Sequence, residues 1–243
     1  MLKSIVYILN PLFLLLAWSV FFYREKGLTF WLIFSLLSII LAAILTSGHH
    51  FWKHRLQWFN FLIIYVAQFG FLLMLKNSTA RYLSAVVLAF LWAFTWWMLK
   101  QYFKNYLSPN QLEYLAFKKY WYILNIWFLL SSVYSFTIFL SLHFYYVSLV
   151  VVLAILAMTK DLFSKQKSWS WPAWLLLAVF FVQAFILVYF LPVSFYVAGT
   201  LLVVWYYYFV TLTLDDKKKA KWPIIVILAV TIFLLLSSLY IIL

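Results

Sequence analysis

Cysteine is absent from this chain of 243 residues. Disulfides, thiolate metal ligands, cysteine nucleophiles and dithiol redox chemistry are thereby excluded. Charge is scarce as well: 9% of residues are Asp, Glu, Lys or Arg, against about 25% in an ordinary soluble domain. The acidic residues number five, Glu25, Glu113, Asp161, Asp215 and Asp216, and each falls in a loop or at the end of an apolar run. No charged side chain or histidine sits at the centre of such a run. Ionisable residues inside a membrane mark proton relays and ion paths, so their lack argues against a proton-driven pump or a channel with a charged filter. Glycine is limited to Gly27, Gly48, Gly70 and Gly199. There is no GxxxG pair to bring two helices close, and no matching Gly or Pro breaks of the kind that build the discontinuous helices of many transporters.

What remains is apolar and aromatic: 68% hydrophobic residues, 24% aromatic ones, including 14 Trp, 18 Tyr and 26 Phe. The mean hydropathy is +1.03. A soluble fold of this length cannot cover so much apolar surface, whereas a bilayer solvates it in runs of about 20 residues per helix. Long runs without alternation exclude a barrel, and lipid leaves helices as the other spanning solution. The fold class expected is all-α, a polytopic transmembrane bundle forming a single integral membrane domain over residues 1–243. About nine spans (eight or nine), in consecutive hairpins with short loops, are expected near 4–22, 28–46, 57–75, 82–99, 120–140, 144–163, 172–190, 194–214 and 223–243. The first run follows Lys3 and lacks a small-residue cleavage site, so it reads as a retained span rather than a signal peptide.

Charge sets the expected orientation. With the N-terminus inside, the inner segments hold 14 of the 18 Lys and Arg. Arg24, Lys26, Lys76 and Arg81 fall outside, and the turns at "SLHFYY" and "PVS" hold none. That bias predicts a cell-membrane protein with a cytoplasmic N-terminus and an outside C-terminus. The net charge of +13 is accordingly assigned to orientation and anionic headgroups at the inner face, not to nucleic acid. Three segments, "MLKNSTARYLSAVVLAFLWAF", "FLSLHFYYVSLVVVLAILAM" and "YFLPVSFYVAGTLLVVWYYY", share one hairpin pattern. Aromatic belts around short outer turns explain the likeness more readily than an ancestral duplication, since Tyr and Trp are favoured at both interfaces.

Local signals refine the boundaries. Ser108, Pro109 and Gln111 resemble a capping box with proline at the first helical position, which predicts a helix start near Pro109. Pro172 and Pro223 sit at span beginnings, and Pro11 lies inside the first span, where it can kink it. The sequon-like "NST" at Asn77 reads as a turn.

Chemistry-bearing clusters are few. "GHHFWKHRLQW" carries His50 and His54 one helical turn apart, a spacing able to hold a transition metal. Zinc takes three or four protein ligands, His49 points elsewhere on a helix, no Asp, Glu or Cys is near, and Lys53 and Arg55 repel a cation. The stretch is therefore expected to be a pH-sensitive, headgroup-binding turn of His50, Lys53, His54 and Arg55, with no metal. Asp215 and Asp216 precede Lys217, Lys218, Lys219 and Lys221. Without further carboxylates to complete a metal or diphosphate site, those lysines read as an inner-surface, headgroup-binding anchor.

Neutral amides within spans are the remaining candidates: Asn10, Asn60, Gln68, Asn125 and Gln183. In lipid each needs a hydrogen-bond partner, whether another helix, a water or a ligand. Gln68, Gln183 and Asn125 are the candidate ligand-binding residues. Ser131, Ser132, Ser135, Ser237 and Ser238 are expected to bond their own helix backbones, and without a His and a carboxylate they make poor nucleophiles. The function expected is that of a non-catalytic multi-spanning protein that binds lipid or a membrane partner and needs no cofactor. A permease-like subunit for a neutral or apolar substrate is the alternative, and a lipid-modifying enzyme the third.

Overall fold

A computed structural model of the chain describes residues 2–24, 27–48, 51–104, 110–162, 171–191 and 193–214. Among these residues there are eight α-helices and no strand: α1 Leu2–Arg24, α2 Leu28–Ser47, α3 Arg55–Met74, α4 Ser78–Lys104, α5 Asn110–Phe139, α6 Phe144–Leu162, α7 Trp171–Tyr189 and α8 Phe195–Leu214. Each coincides with an apolar run of the sequence, and α5 starts at Asn110, beside the proline signal. Ser108, Pro109 and the ninth candidate span, 223–243, lie outside the described residues.

Among the described residues five helices are long and apolar enough to cross a membrane: Leu28–Ser47, Arg55–Met74, Ser78–Gln101, Phe117–Phe139 and Phe144–Leu162. The stretches Ile8–Tyr23, Leu177–Tyr189 and Phe195–Tyr208 are apolar but shorter, below the ~20 residues that a bilayer core requires. Many large apolar side chains face outward along these helices, among them Leu9, Leu12 and Leu16 on α1 and Leu149, Val150 and Leu153 on α6. In water such faces would be unstable; in lipid they are ordinary, so the helices are compatible with a membrane location.

The chain divides into two compact units, Met1–Tyr120 and Trp121–Leu243, and the division falls inside α5. In the first unit α1 packs on α2 and α4, and α3 lies against α2 and α4. Leu14, Ala17, Trp18 and Phe21 form the buried stripe of α1, at the three-and-four spacing that keeps residues on one helical face. Ala85, Leu88, Trp92, Trp96 and Leu99 form the matching stripe of α4. Alanines at Ala17, Ala42, Ala43, Ala85 and Ala89 keep the backbones close enough for the large rings between them.

Short turns join these helices by local chemistry. Gly48 closes α2 with φ 55° and ψ −126°, a conformation that side-chain-bearing residues rarely adopt, and its N–H reaches Ile44 O. At the next turn Asn77 is the N-cap of α4: its Oδ1 accepts from Ala80 N at 3.2 Å and its carbonyl from Arg81 N at 3.0 Å. The Arg81 guanidinium donates to Leu75 O at 3.0 and 2.7 Å and lies 5.1 Å from the Phe22 ring centre. Arg81 thus satisfies a carbonyl at the end of α3, where the helix dipole favours a cation.

The second unit contains α6, α7, α8 and α5 from Trp121 onward. Tyr134 of α5 stacks on Phe185 of α7 at 4.6 Å and donates to its carbonyl at 2.9 Å. Trp127 of α5 donates to Thr200 of α8 at 2.9 Å. Gly199, beside Thr200, lies directly against Ser131, leaving no room for a β-carbon between α8 and α5. This is a close helix contact made without a GxxxG pair: one glycine on α8 meets one serine on α5. Ser132 bonds its own helix at Phe128 O, 2.7 Å, as expected. The hydroxyls of Ser131 and Ser135 are buried and make no hydrogen bond among the described residues, not even to their own helix, which corrects the expectation for these two. Ser237 and Ser238 lie outside the described residues.

Candidate functional site

Three buried tryptophans organise the polar groups of the first unit. Asn10 of α1 donates through Nδ2 to Ser38 Oγ of α2 at 3.1 Å, and its Oδ1 accepts from Trp96 Nε1 of α4 at 2.9 Å. One turn along α4, Trp92 Nε1 donates to Gln68 Oε1 of α3 at 2.8 Å. Trp18 of α1 donates to the Tyr65 hydroxyl of α3 at 3.1 Å, and the two rings stack. The Phe61 ring meets Trp92 and Trp96 edge-on at 5.7 and 5.8 Å, a geometry that suits aromatic quadrupoles. Gln68 and Asn10 are both buried. Their amides tie helix to helix, each satisfying an indole N–H that would otherwise be stranded away from water.

The first basic turn is compact. Phe51 N bonds Gly48 O at 3.1 Å, His54 N bonds Phe51 O at 3.2 Å, and Trp58 Nε1 also donates to Phe51 O at 3.1 Å. A 3-10 turn, Trp52–His54, then leads into α3. Arg55 is exposed, Trp52 is exposed and His54 is partly buried. Arg55 borders a cleft of about 210 Å³ between α2 and α3, walled by Ile39, Ala43, Trp58 and Leu62. His49 and His50 lie outside the described residues, so the expected His50 and His54 pair has no described geometry. Lys53 is described in its backbone alone, and Lys217, Lys218, Lys219 and Lys221 are outside the described residues.

The other two candidate amides belong to the second unit. Asn125 is buried and donates to Trp121 O of its own helix at 2.6 Å. Gln183 is different: it is exposed, and it has no hydrogen-bond partner among the described residues. Gln183 lines a groove of about 270 Å³ between α7 and α8, with Phe180, Ala184, Leu187, Leu202 and Trp205 as apolar walls. Phe180 and Trp205 pack on each other in its lining, with ring centres 5.8 Å apart and planes tilted by 34°. Of the three ligand candidates, Gln183 lines a groove and has no hydrogen-bond partner among the described residues, while Gln68 and Asn125 are held by neighbouring groups.

The sequence also hid a buried carboxyl. Asp161 stands near the end of α6, as its position implied, yet it is only 7% exposed and accepts a short hydrogen bond from the hydroxyl of Tyr122, which is fully buried on α5. Two residues earlier Thr159 meets the Tyr206 hydroxyl of α8 at 3.2 Å. The signal for this cluster was slight: tyrosines on two helices whose register relative to α6 is set only by packing. Among the described residues no group of three His, Cys, Asp or Glu is placed to hold a metal ion.

Neither protein-family models, curated proteins nor solved structures provide a match to this chain.

Proposed function

We propose that this is a non-catalytic membrane protein of about nine spans, with a cytoplasmic N-terminus and an outside C-terminus, that binds a lipid in the α7–α8 groove. The reading is carried by Gln183, exposed and without a hydrogen-bond partner among the described residues, in the lining of an apolar groove. Gln183 lies six residues before the end of α7, about 9 Å along the helix axis, so in a spanning α7 it sits at hydrocarbon depth. An amide left without a partner there costs about 1 to 3 kcal/mol. A ligand carrying one hydrogen-bonding group on an otherwise apolar body removes that cost. The contacting rings of Phe180 and Trp205 give the groove a broad aromatic surface that suits a flat or branched body, which an isoprenoid-type lipid with a carbonyl or hydroxyl group supplies. Gln68 and Asn125 serve the architecture in this reading. Arg55, with His50, Lys53, His54 and the lysines at 217, 218, 219 and 221, would hold anionic headgroups at the inner face.

The test is purification in mild detergent followed by mass spectrometry of retained lipids. The wild-type protein should carry a stoichiometric apolar lipid with one polar group, and Gln183→Leu should reduce its retention about fivefold. The same variant, stripped of lipid, should be no less stable than the wild type. Equal retention by wild type and Gln183→Leu refutes the site.

A further inference from the structure

The remaining histidine, His143, belongs to neither basic cluster. It sits in the turn between α5 and α6, beside a second cleft, larger than the first, of about 420 Å³. The walls are Val133 and Phe136 of α5 and Val147 and Val150 of α6; Ser141, His143 and Tyr146 line the end at the turn. Val150 lies seven residues beyond His143, about 10 Å along the helix axis. The cleft is therefore apolar along its length, and the residues that carry polar groups gather at its turn end.

Three further observations narrow the occupant. Ser141, His143 and Tyr146 are exposed, and their side chains have no hydrogen-bond partner among the described residues. All three can donate, through two hydroxyls and an imidazole N–H. No Asp or Glu occurs anywhere from 121 to 160, so no nearby carboxylate in sequence competes for those donors. Finally, Ser141 has φ 51°, the one positive φ at a non-glycine among the described residues, which folds the turn sharply between the two helices. The adjoining segments, Phe117–Phe139 and Phe144–Leu162, are both long and apolar enough to span, so the turn falls at headgroup level when they do.

From this we infer that the α5–α6 cleft seats a phospholipid of the adjacent leaflet, one acyl chain between Val133, Phe136, Val147 and Val150 and the phosphate at His143, Ser141 and Tyr146. A phosphate offers only acceptors, which complements three donors and no carboxylate. The inference rests on α5 and α6 crossing the membrane and is independent of the Gln183 ligand.

The full-length protein in mild detergent, titrated with phosphatidylglycerol or with diacylglycerol of the same acyl chains and read by native mass spectrometry, tests it. Wild type should bind one phosphatidylglycerol about tenfold more tightly than diacylglycerol. His143→Ala should abolish most of that preference, His143→Lys should keep it, and Val147→Trp, which fills the cleft, should lower binding of both lipids. Gln183→Leu should leave phosphatidylglycerol binding unchanged, which separates this site from the α7–α8 groove. Equal affinity for the two lipids, an unchanged preference in His143→Ala, or its loss in His143→Lys as well overturns the phosphate contact. Unchanged binding in Val147→Trp overturns the acyl-chain seat, as does a co-purifying polypeptide that this variant releases.

Discussion

Gly199→Val should loosen the α5–α8 contact, and the cost can be estimated from geometry. A β-carbon on Gly199 would fall well inside van der Waals contact distance of Ser131 Oγ, 3.1 Å from Ser131 N and 3.3 Å from Ser131 Cα. Carbon atoms prefer about 3.5 to 4.0 Å, so two kinds of clash must be relieved. The hydroxyl can rotate away cheaply, because it holds no hydrogen bond. The backbone atoms cannot rotate, and the helices must part by a few tenths of an ångström. For Gly199→Ala, overpacking of about 1 to 3 kcal/mol is partly offset by about 1 kcal/mol of helix propensity, leaving a small net loss. Valine adds two γ-methyls at the same crossing and regains less propensity, so Gly199→Val should lose about 3 kcal/mol. Denaturation in mixed micelles, followed by tryptophan fluorescence, measures both losses. Ser131→Ala alone should be neutral or slightly stabilising, since it removes a buried hydroxyl without a partner. In combination with Gly199→Ala it should recover at least about 0.5 kcal/mol, the coupling expected of residues in contact. A Gly199→Val variant as stable as wild type, or strict additivity of Gly199→Ala and Ser131→Ala, would refute the close crossing.

Two further substitutions probe the first unit. Asn10→Leu removes both a donor to Ser38 and an acceptor for Trp96, and should destabilise the protein by about 1 to 3 kcal/mol in the same assay. Asn77→Ala should cost about 1 kcal/mol through loss of the α4 cap, whereas Asn77→Ser, which can still accept from the backbone, should cost less; equal losses would show that the cap is not the cause.

The helices were legible because a run of about 20 apolar residues has few other solutions. A turn is decided by a residue's own backbone at Gly48, which ends α2. Partnerships between helices were not. Composition places Gln68 inside a span, but the choice of Trp92 depends on the register of α4 against α3, which no local pattern encodes. Gly199 escaped notice for a related reason: a lone glycine is conspicuous only once Ser131 stands opposite. Asp161 was placed correctly near a helix end, and its burial by Tyr122 follows from how α5 and α6 meet. Gln183 and Gln68 looked equivalent in sequence, and packing alone separated the covered amide from the open one.

The tryptophans of the first unit have a consequence for light as well as for packing. Trp92 and Trp96 stand 6.0 Å apart, and Trp58 stacks on Trp96 at 6.4 Å with planes inclined by 20°. Indoles this close in a fixed chiral arrangement share their electronic excitation, and the coupled transitions give paired bands of opposite sign in circular dichroism. Parting α3 from α4 would erase the component from Trp58 while leaving helix content intact. The molecule therefore carries an intrinsic, label-free reporter of whether those two helices are seated.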